Sequence, residues 1–366
     1  MEMNRRLGHE NLGFLSSSHG FMPSTAPLLH LPSTYATWDE YGQKLPYFSK
    51  HLILRNVFDN MPTLNVDEKH LPDEYLLRAS VLISIFAHAY YYIEPTPPTV
   101  LPVSIHQPWK NITERLGRKA PHLSYIDLAI YNWQFIDKER ENPLCVENMR
   151  PLVPVWGNEA ERLFLMTIFE ILIRSTPLIE AIVSAQEAVV RDDATALINE
   201  LLAITRCIDQ ITYRSLPKTN LNELSTYYTD PAVWAKTFAP FSVPIRSGVA
   251  SAGGAATPSL QILDAFFGRK SYQSQIGHEM TLVREWYPKH WQDFYHAVQQ
   301  ISVPNYVQKK SNSTLSDIYN EALHAYVGET ALSMCCCVSY LPCITPCVRG
   351  NLPRWWLMWR PILPRL

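Results

Sequence analysis

The chain has 366 residues, 47% of them hydrophobic and 18% charged, with a formal net charge of −2. That length suits one large domain or two packed ones, and the near-neutral balance excludes an electrostatic case for nucleic acid or an anionic membrane surface. No run of about 18 uncharged apolar residues is present, and residues 1–13 mix both signs of charge without an apolar core, so neither a transmembrane helix nor a signal peptide is expected; in the resulting cytoplasmic, reducing setting the seven Cys are thiols.

Residues 1–70, rich in Pro, Ser and Gly, read as an irregular arm with a short helix over 38–45. A helix over 73–92 follows from apolar Leu76, Leu77, Val81, Leu82, Ile85 and Ala89. Pro95, Pro97 and Pro98 close it, because Pro cannot continue a helix. The segment 159–173 is apolar nearly all round from Leu163 onward, which marks a helix buried on most sides, and Pro177 is expected to kink or break it. Asp192 or Asp193 can cap the next helix, whose stripe is Leu197, Leu201, Ile204, Ile208 and Ile211. Further helices are expected over 260–267, 273–286 and 291–301. The last begins near Thr314, where Thr314 and Asp317 fit a capping box, with a stripe of Leu315, Ile318, Ala322, Tyr326 and Thr330. No run of alternating strands competes, so the fold class is mainly α.

One stretch stands out. Residues 245–268 run Ile-Arg-Ser-Gly-Val-Ala-Ser-Ala-Gly-Gly-Ala-Ala-Thr-Pro-Ser and then Leu-Gln-Ile-Leu-Asp-Ala-Phe-Phe-Gly. Tiny residues let a backbone lie close to a flat ligand, and Pro258 suits the first turn of the helix that follows. This stretch resembles the loop-plus-helix signature of the indoleamine 2,3-dioxygenase family, haem enzymes that open the indole ring of tryptophan. Several other segments, in the same order, are similar to that family: Leu123-Ser124-Tyr125-Ile126-Asp127 with Asn132-Trp133; Asp230-Pro231 with Trp234, Phe238, Pro240 and Arg246; Trp286-Tyr287-Pro288-Lys289-His290; and Tyr319-Asn320-Glu321-Ala322. The resemblance covers roughly residues 70–330.

The resemblance implies a large helical haem-binding domain capped by a smaller N-terminal one, here 156–334 and 1–155, with haem b and its iron as cofactor. It also implies a small-molecule indole and O2 as reactants, and no nucleic-acid or membrane partner; we expect a monomer. Tyr125, Phe164 and Thr167 match positions lining the family's substrate and oxygen pocket, and aromatic walls suit a flat indole; plain core packing also explains the two rings. Arg246, beside Gly253 and Gly254 in sequence, reads as a bidentate partner for a carboxylate or as an ordinary surface Arg. Arg284 and Ala255 are the residues offered to the cofactor, Arg284 through a propionate. His88, inside an apolar helix, reads as a satisfied core histidine. The loop departs from the family in having Ala255 and Ala256, without a hydroxyl, after its glycines, which puts the substrate's identity in doubt.

The metal ligand is the difficulty. Counting from Tyr319, the family's axial His falls near Ser333 to Cys337, where the sequence has none. His324 is the substitute on the same helix, but it faces away from the Leu315 stripe. Composition also changes there: five of the seven Cys, three of the ten Trp and five Pro lie in residues 335–366, and no acidic residue follows Glu329. Pro342 and Pro346 are expected to cut the helix short. Residues 335–366 are therefore either a divergent tail or the product of a translated intron or frameshift. No His-Glu-x-x-His, paired Cys-x-x-Cys or Gly-x-Ser-x-Gly occurs, so zinc and nucleophilic-hydrolase chemistry are unsupported. Three functions remain: a haem dioxygenase acting on tryptophan or a related indole, an inactive relative that keeps the fold as a helical binding protein, or a helical interaction protein with no small ligand.

Overall fold

The computed structural model describes residues 14–219, 223–237, 239–250, 252–269 and 281–339, with side chains along the last helix as far as Gly328. The chain is mainly α-helical. Its helices are α1 (Ala36–His51), α2 (Leu54–Asp59), α3 (Leu76–Tyr92), α4 (Val103–Arg115), α5 (Glu159–Arg174), α6 (Thr176–Val190), α7 (Ala194–Gln210), α8 (Pro231–Thr237), α9 (Pro258–Phe266), α10 (Lys289–Gln299), α11 (Val303–Lys310) and α12 (Ser313–Ser339). A π-helix (Ile126–Ile130) leads into a minimal antiparallel pair, β1 (Gln134–Phe135) and β2 (Met149–Arg150), with Gln134 opposite Arg150. Buried side chains from Phe14 to Tyr326 form one continuous cluster.

Local chemistry accounts for most boundaries. Asp193 caps α7 by accepting the Ala196 N–H at 2.9 Å, and the whole predicted stripe from Leu197 to Ile211 is buried. Pro177 does not kink a continuing helix: α5 stops at Arg174, and Pro177 opens α6 in its first turn, where its missing N–H costs nothing. The cap of α12 is Asn312, whose side chain accepts the Leu315 N–H at 3.0 Å, rather than the Thr314–Asp317 box. The helix therefore starts one residue earlier than its sequence suggests. It then runs 27 residues to Ser339, so Pro342 does not cut it short before 333–337. A Pro disturbs the turn preceding it, not the turns further back. The expected helix over 273–286 lies largely outside the described residues, as does the tail beyond 339.

The third helix sets up the site. From Leu76 to Tyr90 every side chain of α3 is buried, polar ones included. Buried polar groups need partners, and most here have them. Arg78 pairs with Asp39 at 2.7 Å, Ser80 donates to Asp127 at 2.7 Å, and Ser84 accepts from the Trp109 indole at 3.1 Å. Two buried atoms on this helix, the Arg78 Nη1 and the His88 Nδ1, have no hydrogen-bond partner among the described residues.

Candidate functional site

Asp127 organises the segment that carries Tyr125. Its carboxylate is fully buried, bonded to Arg118 at 2.6 Å and to the Ser124 and Ser80 hydroxyls at 2.7 Å each. Burial pushes this carboxyl up, but the Arg118 guanidinium and the two hydroxyls together hold it below its ordinary value. Tyr125 is thereby fixed against the small-residue loop: its hydroxyl lies 2.8 Å from the Thr257 Oγ1. Tyr287 pins the same loop by donating to the Ala256 carbonyl at 2.9 Å. Tyr125 thus meets the loop at Thr257, three residues after Gly254. The side chain of Ala255 lies outside the described residues.

The loop feeds α9, every residue of which is buried. Asp264 on α9 is fully buried and joins three elements. It pairs with Arg284 at 3.0 Å and accepts from the Tyr326 hydroxyl on α12, while Arg284 also donates to Gln261 and lies 4.7 Å over the Tyr295 ring. The guanidinium that the sequence offers to a propionate is engaged by Asp264 and Gln261. Arg284 is a strut between α9 and α10, and Asp264 extends it to Tyr326 on α12. Truncating Arg284 removes one charged partner from a buried carboxylate that keeps the Tyr326 hydroxyl and Arg269 at 3.9 Å, so Arg284→Ala is expected to cost about 1–3 kcal/mol in chemical denaturation; a loss below about 0.5 kcal/mol, the size of a neutral surface change, would remove the strut role.

Phe164 and Thr167 stand nearly one turn apart on α5. That helix starts firmly: Asn158 accepts the Glu161 N–H at 2.8 Å, and the buried Glu161 carboxylate accepts from the N–H groups of Val155, Trp156 and Gly157 at 2.7, 3.0 and 2.8 Å. Burial raises the Glu161 carboxyl above its ordinary value despite those three donors. Phe164 packs on Trp234 of α8 with ring centroids 5.4 Å apart. The Thr167 hydroxyl is buried and has no hydrogen-bond partner among the described residues.

Arg246 comes from a further segment. It is exposed at the mouth of a cavity of about 430 Å³ lined by α3, α4, residues 121–123 and residues 243–252. His88, Trp109, His122 and Ala250 are among its buried lining residues. Tyr125, Phe164, Thr167, Gly253 and Gly254 do not line it, although Leu123 and Ala252 do. Arg246 thus lines this cavity, and the segments that carry Tyr125 and Gly253 reach it through Leu123 and Ala252. Sequence reasoning placed His88 as a satisfied core histidine and passed over His122. An imidazole in an apolar helix shows nothing in sequence of whether a partner will meet it. Burial pushes both imidazoles down, His88 to about 3 and His122 to about 4, so both are neutral at pH 7.

The cofactor that the resemblance implies needs an apolar slot and an axial ligand. On the substrate side the residues suit it: Thr167 presents an unpartnered hydroxyl beside the Phe164–Trp234 wall. On the iron side they do not. The buried face of α12 is Leu315, Tyr319, Ala322 and Tyr326, whereas His324 is exposed. Ser333, seven residues beyond Tyr326, continues that helix. Among the described residues the buried imidazoles, His88 and His122, stand on α3 and the 121–123 segment, and no group of three or more His, Cys, Asp or Glu is placed to hold a metal ion. No helix of the described residues is long and apolar enough to cross a membrane.

Comparison with known proteins agrees with the segments picked out above. The family model for indoleamine 2,3-dioxygenase matches residues 14–328. Indoleamine 2,3-dioxygenase 1 of Mus musculus is 30% identical over 187 residues, 50% of this chain and 45% of that protein. The Rattus norvegicus indoleamine 2,3-dioxygenase 1 is 26% identical over 328 residues, 82% of this chain and 77% of that protein. The 6-hydroxytryptophan 2,3-dioxygenase of Fusarium equiseti is 27% identical over 221 residues, 58% of this chain and 54% of that protein. With its family model matched over most of its length, the chain belongs to the indoleamine 2,3-dioxygenase family.

Proposed function

We propose that this protein is a haem-dependent dioxygenase that adds both atoms of O2 across the C2–C3 bond of tryptophan or a related indole, and that the chain as written is limited by its iron side. Haem iron, when bound, supplies the activation of O2. The protein's share is placement and exclusion of water. Phe164 with Trp234 forms an aromatic wall, the Thr167 hydroxyl is left for a bound molecule or water, and Tyr125 holds the Gly253–Gly254 turn close. Arg246 takes the substrate carboxylate. The observation that carries this reading is the buried, unpartnered Thr167 hydroxyl beside the Phe164 wall, in a chain whose family match spans both. A relative named for 6-hydroxytryptophan supports leaving the substrate at the level of indoles. The same reading makes the protein a cytoplasmic monomer with a smaller N-terminal unit over the helical one.

The test is incubation of haem-supplied protein with tryptophan under 18O2, read by mass spectrometry. A ring-opened product carrying two labelled atoms is expected, at slow turnover. A protein with a histidine-ligated haem that forms no such product overturns the reading. The exposed His324 favours the second reading, an inactive relative; it predicts that indole binds while haem does not.

A further inference from the structure

Helix α8, which carries Trp234, has only 7 residues. A helix that short does not hold its own place in water, so its position depends on what grips its ends. Both grips come from the segment 146–156 that precedes α5. At the far end the Trp156 indole N–H donates to the Thr237 carbonyl at 2.8 Å. At the near end the Tyr227 hydroxyl, shortly before Pro231, donates to the Glu147 carboxylate at 2.5 Å. The segment is itself fixed to α5. Arg162 donates to the Val146 and Met149 carbonyls at 2.6 and 3.1 Å, and the Trp156 N–H meets the Glu161 carboxylate at 3.0 Å.

Lys218 completes the near grip. Its ammonium stands 2.8 Å from both Glu147 and Glu170 and 5.7 Å from the Tyr227 ring centroid, and its side chain is 14% exposed. Burial pushes the Glu147 carboxyl up, but Lys218 and the Tyr227 hydroxyl hold it at about 2, so it is charged at pH 7 and accepts. An ion cluster set this deeply adds little net stability; what it fixes is the place of the chain that carries it. We propose that Tyr227 and Trp156 are positioning residues that hold Trp234 against Phe164, where the ring centroids stand 5.4 Å apart, and so set the aromatic wall that takes the indole ring. They act through α8. The proposal rests on the reading of that wall as the indole site; the two grips do not.

Two measurements on the full chain test this: the 19F resonance of Trp234 in protein labelled with 5-fluorotryptophan, assigned by Trp234→Phe, and calorimetric titration of 3-methylindole into haem-supplied protein. Tyr227→Phe and Trp156→Phe each keep an aromatic ring and remove one donor. Each is expected to shift or broaden the Trp234 resonance and to weaken 3-methylindole about fivefold, short of the roughly tenfold that a whole hydrogen bond is worth. Tyr90→Phe is the control for a merely structural bond, because the Tyr90 hydroxyl on α3 also donates to a carboxylate, Asp59 of α2, at 2.8 Å. It is expected to lower the melting temperature as much and to move neither readout. The proposal is overturned if either readout stays unchanged in both Tyr227→Phe and Trp156→Phe, or if Tyr90→Phe moves them as far. Failure of the underlying reading has its own signature. In that case the unaltered chain does not bind 3-methylindole, or Phe164→Ala binds it as before, while Tyr227→Phe still moves the Trp234 resonance; the wall then loses its indole, and the proposal falls with it.

Discussion

Ser333→His is expected to give this chain a histidine-ligated Soret band and to tighten haem binding by about a hundredfold or more. Losing a mere support of a metal ligand costs about 10–100-fold in affinity, and gaining the ligand itself should be worth at least the upper end. The geometry rests on α12. Its backbone stays helical to Ser339, and its buried face descends through Leu315, Ala322 and Tyr326. Ser333 lies two turns beyond Tyr326, about 10.5 Å along the axis. Gly328, exposed on the same helix, is the control position: Gly328→His should leave the spectrum as it is. His324→Ala should also change nothing, because that imidazole faces outward. A normal Soret band in the unaltered chain that His324→Ala abolishes would make His324 the ligand and the reading of the tail wrong.

Acid is expected to destabilise the protein well before its carboxylates titrate. His88 and His122 have folded values of about 3 and about 4, both lowered first by burial, against about 6.5 in an unfolded chain. Between those values the unfolded state binds protons that the folded state refuses. Stability therefore rises with pH through this window and is lost as pH falls below about 6.5. At pH 4.5, two units below the unfolded value, each imidazole costs on the order of 2–3 kcal/mol. The charges nearby divide: Arg118 and the neighbouring imidazole oppose protonation, and Asp127 favours it without reversing the shift. Urea midpoints measured at pH 7 and pH 4.5 check this. His88→Phe should remove roughly half of the difference between them. A variant with the full pH dependence intact would show that His88 is not the group being titrated.

Helix α7 shows how far sequence alone reaches. Its Asp193 cap and its stripe from Leu197 to Ile211 are periodic and local, and both are realised. Tyr125, which the resemblance assigns to the same pocket as Gly253 and Gly254, has its hydroxyl 2.8 Å from the Thr257 hydroxyl, a partner that sequence alone does not record. Arg284 and His88 show the limit. One was offered to a propionate and is engaged by Asp264 and Gln261; the other was read as satisfied and has an unpartnered Nδ1 among the described residues. A side chain's partner is set by what a distant segment brings to it, and no spacing along the chain records that.

By itself, then, the amino-acid order determined the helical class, most helix starts, the family, and the absence of His from 333–337. Caps, stripes and motif order depend on neighbours within a few turns, so they are written locally. Only the tertiary structure decided that Arg246 stands at the mouth of a cavity with His88 and His122, and that Phe164 packs on Trp234. It also decided that α12 runs past Ser333. The reason is physical: burial, partner choice and the course of a helix beyond its caps are settled by packing between segments tens to hundreds of residues apart, where desolvation outweighs local preference.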